Sequence, residues 1–194
     1  MKTDINALRA VLFFGLAFHK VLWEALKRKS KIRSISYQTS RSFAGRTLKL
    51  IKVTLLTFFL FQTLFLDLFP ISERANVLRV IGLVIYFLGL GIAVLGRIHL
   101  GANWLDLEDY RVSPNQSLVT NGIYRYVRHP IYGGDILLLI GLELALNSWL
   151  VLGVGIILVV VIRQTILEES LLSEKFSDYR HYCSQTKRFI PFLV

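Results

Sequence analysis

Residues 77–100, VLRVIGLVIYFLGLGIAVLGRIHL, are the longest of five apolar segments in the chain and decide its fold class. Crossing the hydrocarbon core of a bilayer takes about 20 helical residues, and this segment is long enough to do so. Gly82, Gly89 and Gly96 recur at seven-residue intervals along it, and Ala93 follows Gly89 by four residues. These positions share one helix face, so we interpret them as a packing surface that lets another helix approach closely.

Four further segments are apolar enough to be helices of the same kind. Together the five predict an all-α, polytopic integral membrane protein with about five transmembrane helices. Only Asn147 and Ser148 separate the last two segments, which predicts a tight helical hairpin of helices 4 and 5. The first segment carries His19, Lys20 and Glu24 and has no clear small-residue cleavage site, so we interpret it as a retained helix and not as a signal peptide. The segments are Ile5–Leu26, Val53–Phe69, Val77–Leu100, Ile131–Leu146 and Trp149–Leu167.

The composition fits one membrane-embedded domain. The 194 residues are 54% hydrophobic with a mean hydropathy of +0.53, which is too apolar for an ordinary soluble domain. We divide the domain into N-terminal helices with a basic loop, residues 1–76, and a core, residues 77–194. The 23 Lys and Arg residues against 13 acidic ones indicate cytoplasmic loops and contact with anionic lipids, and no nucleic acid is expected. The single Cys183 excludes an internal disulfide and a cysteine-based zinc site, and the four scattered histidines give no metal-ligand spacing.

The distribution of charge predicts the orientation in the membrane. Basic loops stay in the cytoplasm, and the loop between the first two helices is strongly basic. Counting onward from it, we expect the N-terminus outside, residues 101–130 in the cytoplasm, Asn147 and Ser148 outside, and the C-terminus in the cytoplasm. The basic residues of this loop are Lys27, Arg28, Lys29, Lys31, Arg33, Arg41, Arg46 and Lys49.

The residues suited to chemistry lie just before the fourth apolar segment and just after the fifth. Arg128, His129 and Pro130 precede helix 4, and Glu168 and Glu169 follow helix 5. Charged groups beside a bilayer are costly to place, so a functional site is the default expectation. Proline at a helix start gives up a hydrogen bond that would be missing anyway, and the free N–H groups there attract anionic ligand groups.

Aromatic and small residues flank the Arg-His-Pro segment. Tyr124, Tyr126 and Tyr132 offer flat faces that can stack on an adenine ring or on a cation. Gly133 and Gly134 let a ligand or another helix come close. Taken one at a time, these residues also fit lipid-headgroup anchors, an interfacial aromatic belt and packing glycines. Their density, opposite two carboxylates, favours a site.

The order and spacing of three sequence elements resemble the isoprenylcysteine carboxyl methyltransferases and the related phospholipid methyltransferases. The resemblance covers roughly residues 97–192. It implies an integral membrane enzyme that uses S-adenosylmethionine, with residues 77–194 as the methyltransferase core and a cofactor site on the cytoplasmic face. The three elements are LVTNGIYRYVRHPIYGG at residues 118–134, EES at residues 168–170 and FSDYRHYCSQTKRFIP at residues 176–191.

The resemblance also implies roles for residues of this chain. Arg163 is the nearest match to a family arginine that is linked to the substrate carboxylate, and we expect Arg128 to assist it. No metal is implied. The positions that hold the cofactor in the family match Gln116, Ser117, Leu118, Val119, Tyr124, His129, Pro130, Ile131, Tyr132 and Glu168.

The reaction that this resemblance favours is methyl transfer to the carboxylate of a prenylcysteine-like lipophilic substrate. A carboxylate is already ionised at neutral pH, so no general base is required. We expect the substrate to enter from the bilayer and the cofactor from the cytoplasm. Membrane lipids are the other expected partners, and no obligate protein partner is evident.

Three alternatives stay open at the level of sequence. They are a phospholipid amine N-methyltransferase, an NADPH-dependent sterol-type reductase and a non-enzymatic membrane scaffold. The acceptor, whether a protein, a free prenylcysteine or a lipid amine, stays open as well, and so does the oligomeric state.

Overall fold

The computed structural model describes residues 4–33, 43–103 and 117–191. Within these ranges all regular secondary structure is helical, apart from two isolated bridge pairs, which confirms the all-α prediction. Short 3₁₀ turns at Gly101–Asn103, Gly122–Arg125 and Trp149–Gly153 lie between the α-helices. The α-helices are α1 (Ile5–Arg33), α2 (Phe43–Phe65), α3 (Asn76–Leu100), α4 (Pro130–Ala145), α5 (Val154–Lys175) and α6 (Tyr179–Gln185).

Three helical segments of the described chain are long and apolar enough to cross a bilayer: Ile5–Arg28, Asn76–Leu100 and Trp149–Lys175. Large apolar side chains are exposed on their outer faces, such as Phe14 on α1 and Ile156 on α5, and hydrocarbon is the solvent that suits such a surface. α4 has 16 residues, fewer than the roughly 20 that span hydrocarbon. The count of five transmembrane helices and the tight hairpin therefore stay predictions.

Helices α3 and α4 form the most extensive contact in the described chain, and they run antiparallel, nearly backbone to backbone. A Cβ atom added at Gly89 would lie 2.3 Å from the backbone nitrogen of Leu138, and one at Gly141 would lie 2.2 Å from that of Tyr86. A Cβ atom at Gly82 would likewise meet the backbone of α4. The packing interpretation of these α3 glycines is confirmed. The position of α4, and of the residues at its N-terminal end, is therefore fixed against α3.

Helix α1 packs across this pair. Leu8, Leu12 and Leu16 recur every four residues on α1 and are almost fully buried. The hydroxyl of Tyr86 donates a 2.8 Å hydrogen bond to the carbonyl of Leu12. Because a buried phenol needs a hydrogen-bond partner, this bond fixes the height of α1 relative to α3.

One end of the bundle is closed by two turns that contact each other. The side-chain amide of Asn147 donates to the carbonyl of Ser72 at 2.7 Å, and its oxygen accepts from the N–H of Ser72 at 3.1 Å. Asn147 has a positive φ of 61°, which asparagine tolerates better than most residues. At the same end, Arg9 near the start of α1 pairs with Asp67. The charge distribution places this end outside, and that orientation stays a prediction.

The boundaries of several helices differ from the sequence prediction, and one helix was not predicted. α1 continues to Arg33 instead of ending at Leu26. α2 begins at Phe43 and ends at Phe65, instead of spanning Val53–Phe69, because helical hydrogen bonds continue through basic residues and because a proline at position 70 disfavours helix before it. α5 continues to Lys175, so the acidic pair lies inside the helix and not after it. α6 was not predicted, because hydropathy identifies apolar membrane segments and does not identify polar helices.

Replacing Gly89 with Ala should destabilise the fold, because the added methyl group meets backbone atoms that have nowhere to move. We expect a loss of about 2–3 kcal/mol in the free energy of unfolding, measured by SDS titration in mixed micelles. Gly91→Ala is the matched control, since a Cβ atom at Gly91 has no other atom within 4 Å. Equal stability of the two variants would contradict close backbone contact between α3 and α4.

Candidate active site

A cavity opens at the N-terminal end of α4, between this end, α5 and α6. His129 caps α4, and Pro130 is its first residue. Pro130 is itself fully buried and does not line the cavity, and Gln116 lies outside the described residues. The other eight predicted cofactor-binding residues all line the cavity: Ser117, Leu118, Val119, Tyr124, His129, Ile131, Tyr132 and Glu168.

Glu168 presents its carboxylate to this cavity. The hydroxyl of Tyr132 donates a 3.0 Å hydrogen bond to Oε2 of Glu168, while 41% of the Glu168 side chain stays exposed. A carboxylate has several lone pairs, so this one can accept further hydrogen bonds from hydroxyl or ammonium groups of a ligand.

Glu169 lies behind the cavity and connects three basic side chains. Its carboxylate accepts hydrogen bonds from Nε of Arg128 and Nη2 of Arg188, both at 2.9 Å, and lies 3.2 Å from Nε2 of His129. The hydrogen bonds to Glu169 raise the pKa of the Arg188 guanidinium above its usual range. Because Nε2 of His129 is turned toward Glu169, its Nδ1 atom is left 4.0 Å from Oε2 of Glu168. The adjacent glutamates therefore have different surroundings. Glu168 faces the cavity, and Glu169 connects basic residues behind it.

The C-terminal segment after α6 pairs with the backbone of the Arg-His-Pro segment. The N–H of Arg128 donates to the carbonyl of Lys187 at 2.8 Å, and the N–H of His129 donates to the carbonyl of Arg188 at 2.9 Å. The guanidinium of Arg128 also donates to the carbonyl of Thr186. We did not predict this contact from the sequence, although the FSDYRHYCSQTKRFIP element that carries the resemblance was its signal.

Two buried tyrosines form another wall of the cavity. The hydroxyl of Tyr182 donates a 2.7 Å hydrogen bond to the carbonyl of Tyr124, which ties α6 to the turn at Gly122–Arg125. Burial raises the pKa of both phenols well above their usual range. Both side chains therefore stay neutral at physiological pH and offer flat, largely apolar faces.

Gly122 shapes the turn that places Tyr124. Its φ is +59°, and a Cβ atom there would lie 2.7 Å from Nδ1 of His99. The same Nδ1 atom accepts a 3.3 Å hydrogen bond from the N–H of Ile123. The position thus needs glycine for its backbone conformation and for the room it leaves to His99. The Asn-Gly dipeptide is the sequence signal by which this turn could have been found.

The two predicted catalytic arginines are placed differently. Arg128 lines the cavity, but its guanidinium is turned to Glu169, and only 11% of its side chain is exposed. Arg163 is exposed on α5 and does not line the cavity. It lies five residues before Glu168, which corresponds to a rotation of about 140° around the helix axis. Their catalytic roles stay predictions.

Metal chemistry was not predicted for this site. In the residues that the structure describes, no group of three or more His, Cys, Asp or Glu side chains could hold a metal ion.

Comparisons with known proteins agree with the motifs. The family model described as phospholipid methyltransferase matches residues 77–179, about half of the chain. The cobalt-zinc-cadmium resistance protein CzcN of Cupriavidus metallidurans is 31% identical over 114 residues, which are 56% of this chain and 49% of that protein. The chain thus spans about half the length of this curated relative.

A solved structure is similar over nearly the whole chain. It is that of the eukaryotic intramembrane Ras methyltransferase ICMT (isoprenylcysteine carboxyl methyltransferase), with a TM-score of 0.63 and 24% sequence identity. The match covers 96% of this chain and 68% of that one. This likeness shows the fold. Together with the three long apolar helices, it confirms that the chain is an integral membrane protein.

Replacing Glu169 with Gln should loosen the wall of the cavity, because the variant removes the charge that Arg128, His129 and Arg188 share. We expect a loss of about 2–4 kcal/mol in the free energy of unfolding, since one side of a mostly buried ion-pair network is neutralised. SDS titration in mixed micelles measures this loss. Glu174→Gln, at an exposed position of the same helix, is the control and should change nothing. If both variants match the unmodified chain, the network contributes no net stability.

Proposed function

The chain belongs to the phospholipid methyltransferase family, and from this premise we propose that it is an S-adenosylmethionine-dependent methyltransferase. It acts at the membrane edge on the polar end of a lipophilic acceptor. The observation that carries the proposal is the convergence of eight predicted cofactor-binding residues on one cavity. These residues are spread from position 117 to position 168 in the sequence, and packing of α4 against α3 and α5 brings them together.

The cavity has groups that match each part of this cofactor. The Glu168 carboxylate suits ribose hydroxyls or an ammonium group. The N–H groups of Ile131 and Tyr132, in the first turn of α4, suit a carboxylate. The ring faces of Tyr124 and Tyr132 suit an adenine. When bound, the cofactor supplies a methyl group on a sulfonium centre, which is electrophilic without a metal.

The residues of the chain would bind, orient and exclude water. Glu169 fixes His129 and Arg128 in one arrangement, so the ligand meets a preorganised wall. Tyr124 and Tyr182 are buried and keep water from one side of the cavity. Alignment of donor and acceptor and removal of water from the nucleophile are the contributions that such a methyl transfer needs from a protein.

The first candidate acceptor is the carboxylate of a prenylcysteine-like lipid. The fold likeness to an intramembrane carboxyl methyltransferase supports it. An ionised carboxylate can accept a methyl group without first losing a proton to a general base. No general base was predicted in the cavity. In this reaction Arg163, with Arg128, would orient the acceptor carboxylate.

A phospholipid amine is the second candidate, and the family model favours it. Of the described residues that line the cavity, Arg128 is the one arginine, and it is already bonded to Glu169. The described lining of the cavity therefore contains no guanidinium that is free to pair with a carboxylate acceptor. An ammonium acceptor must lose a proton before methylation, so its rate would rise with pH through the pKa of the amine. Family membership favours both acceptors over the reductase and scaffold alternatives.

The proposed orientation places the cavity on the cytoplasmic side. The basic residues at the C-terminal end of α1 and the N-terminal end of α2, and those of the C-terminal segment, support this placement through the rule that basic segments stay inside. The cofactor would then reach the cavity from the cytoplasm, and the acceptor tail would lie among the helices in the bilayer.

The unmodified chain in detergent should bind S-adenosylhomocysteine, and Glu168→Ala should weaken that binding at least about tenfold, because it removes a charge-assisted hydrogen bond. Calorimetric titration measures both affinities, with NADPH titrated in parallel. Glu174→Ala is the control. Binding of NADPH alone would favour the reductase, binding of neither by folded protein would favour the scaffold, and unchanged affinity of Glu168→Ala would remove Glu168 from the site.

Replacing Arg163 with Ala should lower kcat/KM for a carboxylate acceptor at least about tenfold, because a bidentate ion pair is lost. The affinity for S-adenosylhomocysteine should not change. Transfer of labelled methyl groups from S-adenosylmethionine measures the first quantity and calorimetry the second. Arg180→Ala, at an exposed position on α6, is the control. Normal turnover by Arg163→Ala would refute a role of this arginine.

A further inference from the structure

A second polar cluster lies between α1 and α4, close to the cavity. The Nε2 atom of His19 is 3.1 Å from Oδ1 of Asp135. The imidazole ring of His19 stacks on the indole of Trp23 with ring centroids 4.1 Å apart. All three residues lie in segments whose hydropathy predicts membrane helices. An ionisable pair at such a depth is costly, so a function is the default expectation for it.

Asp135 lies next to the cavity on the same face of α4. It follows Ile131 by four residues and Tyr132 by three, and both of these line the cavity. Residues three and four apart share a helix face, about one turn or 5.4 Å along the axis. The carboxylate of Asp135 is therefore one turn farther from the α4 N-terminus than the cavity wall, on the side from which an acceptor tail in the bilayer would extend.

The Asp135 carboxylate keeps capacity for a further partner. In the described part of the chain its one ion-pair partner is His19, and Oδ1 of Asp135 and Nε2 of His19 are both buried without a hydrogen bond. The Asp135 side chain is 39% exposed and that of His19 is 20% exposed. Stacking on Trp23 orients the imidazole, and the exposed part of the Asp135 side chain leaves its carboxylate accessible to a further partner.

We infer that Asp135, next to His19, is an acceptor-binding subsite that takes a protonated amine on the methyl acceptor. The inference deepens the proposed function and rests on it. An ammonium group has the charge and the three N–H donors that an open carboxylate requires. An acceptor whose polar end carries a negative charge alone would be repelled by the Asp135 carboxylate.

Two kinds of acceptor carry this group. The first is a free S-prenylcysteine, whose α-ammonium lies beside the carboxylate to be methylated. The second is a lipid with an amine headgroup, such as phosphatidylethanolamine, whose ammonium would pass a proton to the Asp135 carboxylate before its nitrogen accepts the methyl group. A prenylated cysteine at the end of a protein, or an N-acetylated prenylcysteine, has an amide in place of the ammonium and would lose this contact.

The test measures methyl transfer by the full chain in lipid nanodiscs with three acceptors: S-farnesylcysteine, N-acetyl-S-farnesylcysteine and phosphatidylethanolamine. We expect the unmodified chain to use one of the two ammonium-bearing acceptors with a kcat/KM at least about tenfold above that of the N-acetylated one, as loss of a hydrogen bond to a charged group predicts. The ammonium-bearing acceptor that is methylated shows whether the amine belongs to a prenylcysteine or to a lipid headgroup.

Asp135→Asn should remove this preference by raising KM for the ammonium-bearing acceptor, and S-adenosylhomocysteine affinity should not change. Asp135→Glu keeps the charge and should retain the preference. Asp67→Asn is the matched control, since Asp67 also forms an ion pair but lies at the other end of the bundle. The retained binding of S-adenosylhomocysteine shows that each variant is folded.

Two results would overturn the inference while leaving the proposed function intact. One is an unmodified chain that uses the N-acetylated acceptor as well as S-farnesylcysteine and does not use phosphatidylethanolamine. The other is an Asp135→Asn variant that lowers turnover of all acceptors equally, which a purely structural link between α1 and α4 would do. Methyl transfer to none of the three acceptors would instead refute the proposed function, and the inference with it.

Discussion

Backbone contact between α3 and α4 is the constraint on which the rest of this structure depends. Helices in lipid gain little from burying apolar side chains, so close approach and van der Waals packing must hold them together. Gly89 and Gly141 leave room for that approach in the middle of the pair, and Gly134 does so near the cavity, where a Cβ atom would lie 2.5 Å from the backbone nitrogen of Ala93. Gly134 is five residues from His129. The register of the helix pair therefore also fixes the side chains that begin α4.

The wall of the cavity is built by charge where the bundle meets water. Glu169 joins α5 to Arg128, at the entrance to α4, and to Arg188, in the C-terminal segment. Backbone hydrogen bonds from Arg128 and His129 add a second connection to that segment. Three parts of the chain are thus connected by one carboxylate, and the adjacent Glu168 remains available to the cavity.

Two carboxylates on different helices lie near the proposed site of methyl transfer. Glu168 lies on α5, near α6, where the polar cofactor would bind. Asp135 lies on α4, one helical turn farther from the α4 N-terminus than the cavity wall, toward α1. A donor and an acceptor that both carry ammonium groups would each meet a carboxylate of their own. Asp135 lies on α4 and Glu168 on α5, so the distance between these carboxylates depends on how the two helices pack. The position of α4 in turn depends on the glycines between α3 and α4.

The sequence by itself determined the all-α membrane class, the packing role of the α3 glycines and eight residues of the cavity wall. Hydropathy, small-residue spacing and a motif of fixed order are local properties, so they can be read without knowing the packing. Only the tertiary structure decided that Glu169 binds Arg128 and Arg188, that His19 meets Asp135, and that Arg163 is exposed and does not line the cavity. It also extended α5 to Lys175 and formed α6, beyond the apolar segments that hydropathy detects. These outcomes depend on how far each helix continues and on which way it is rotated against its neighbours, and both are set by contacts between residues that are distant in the chain.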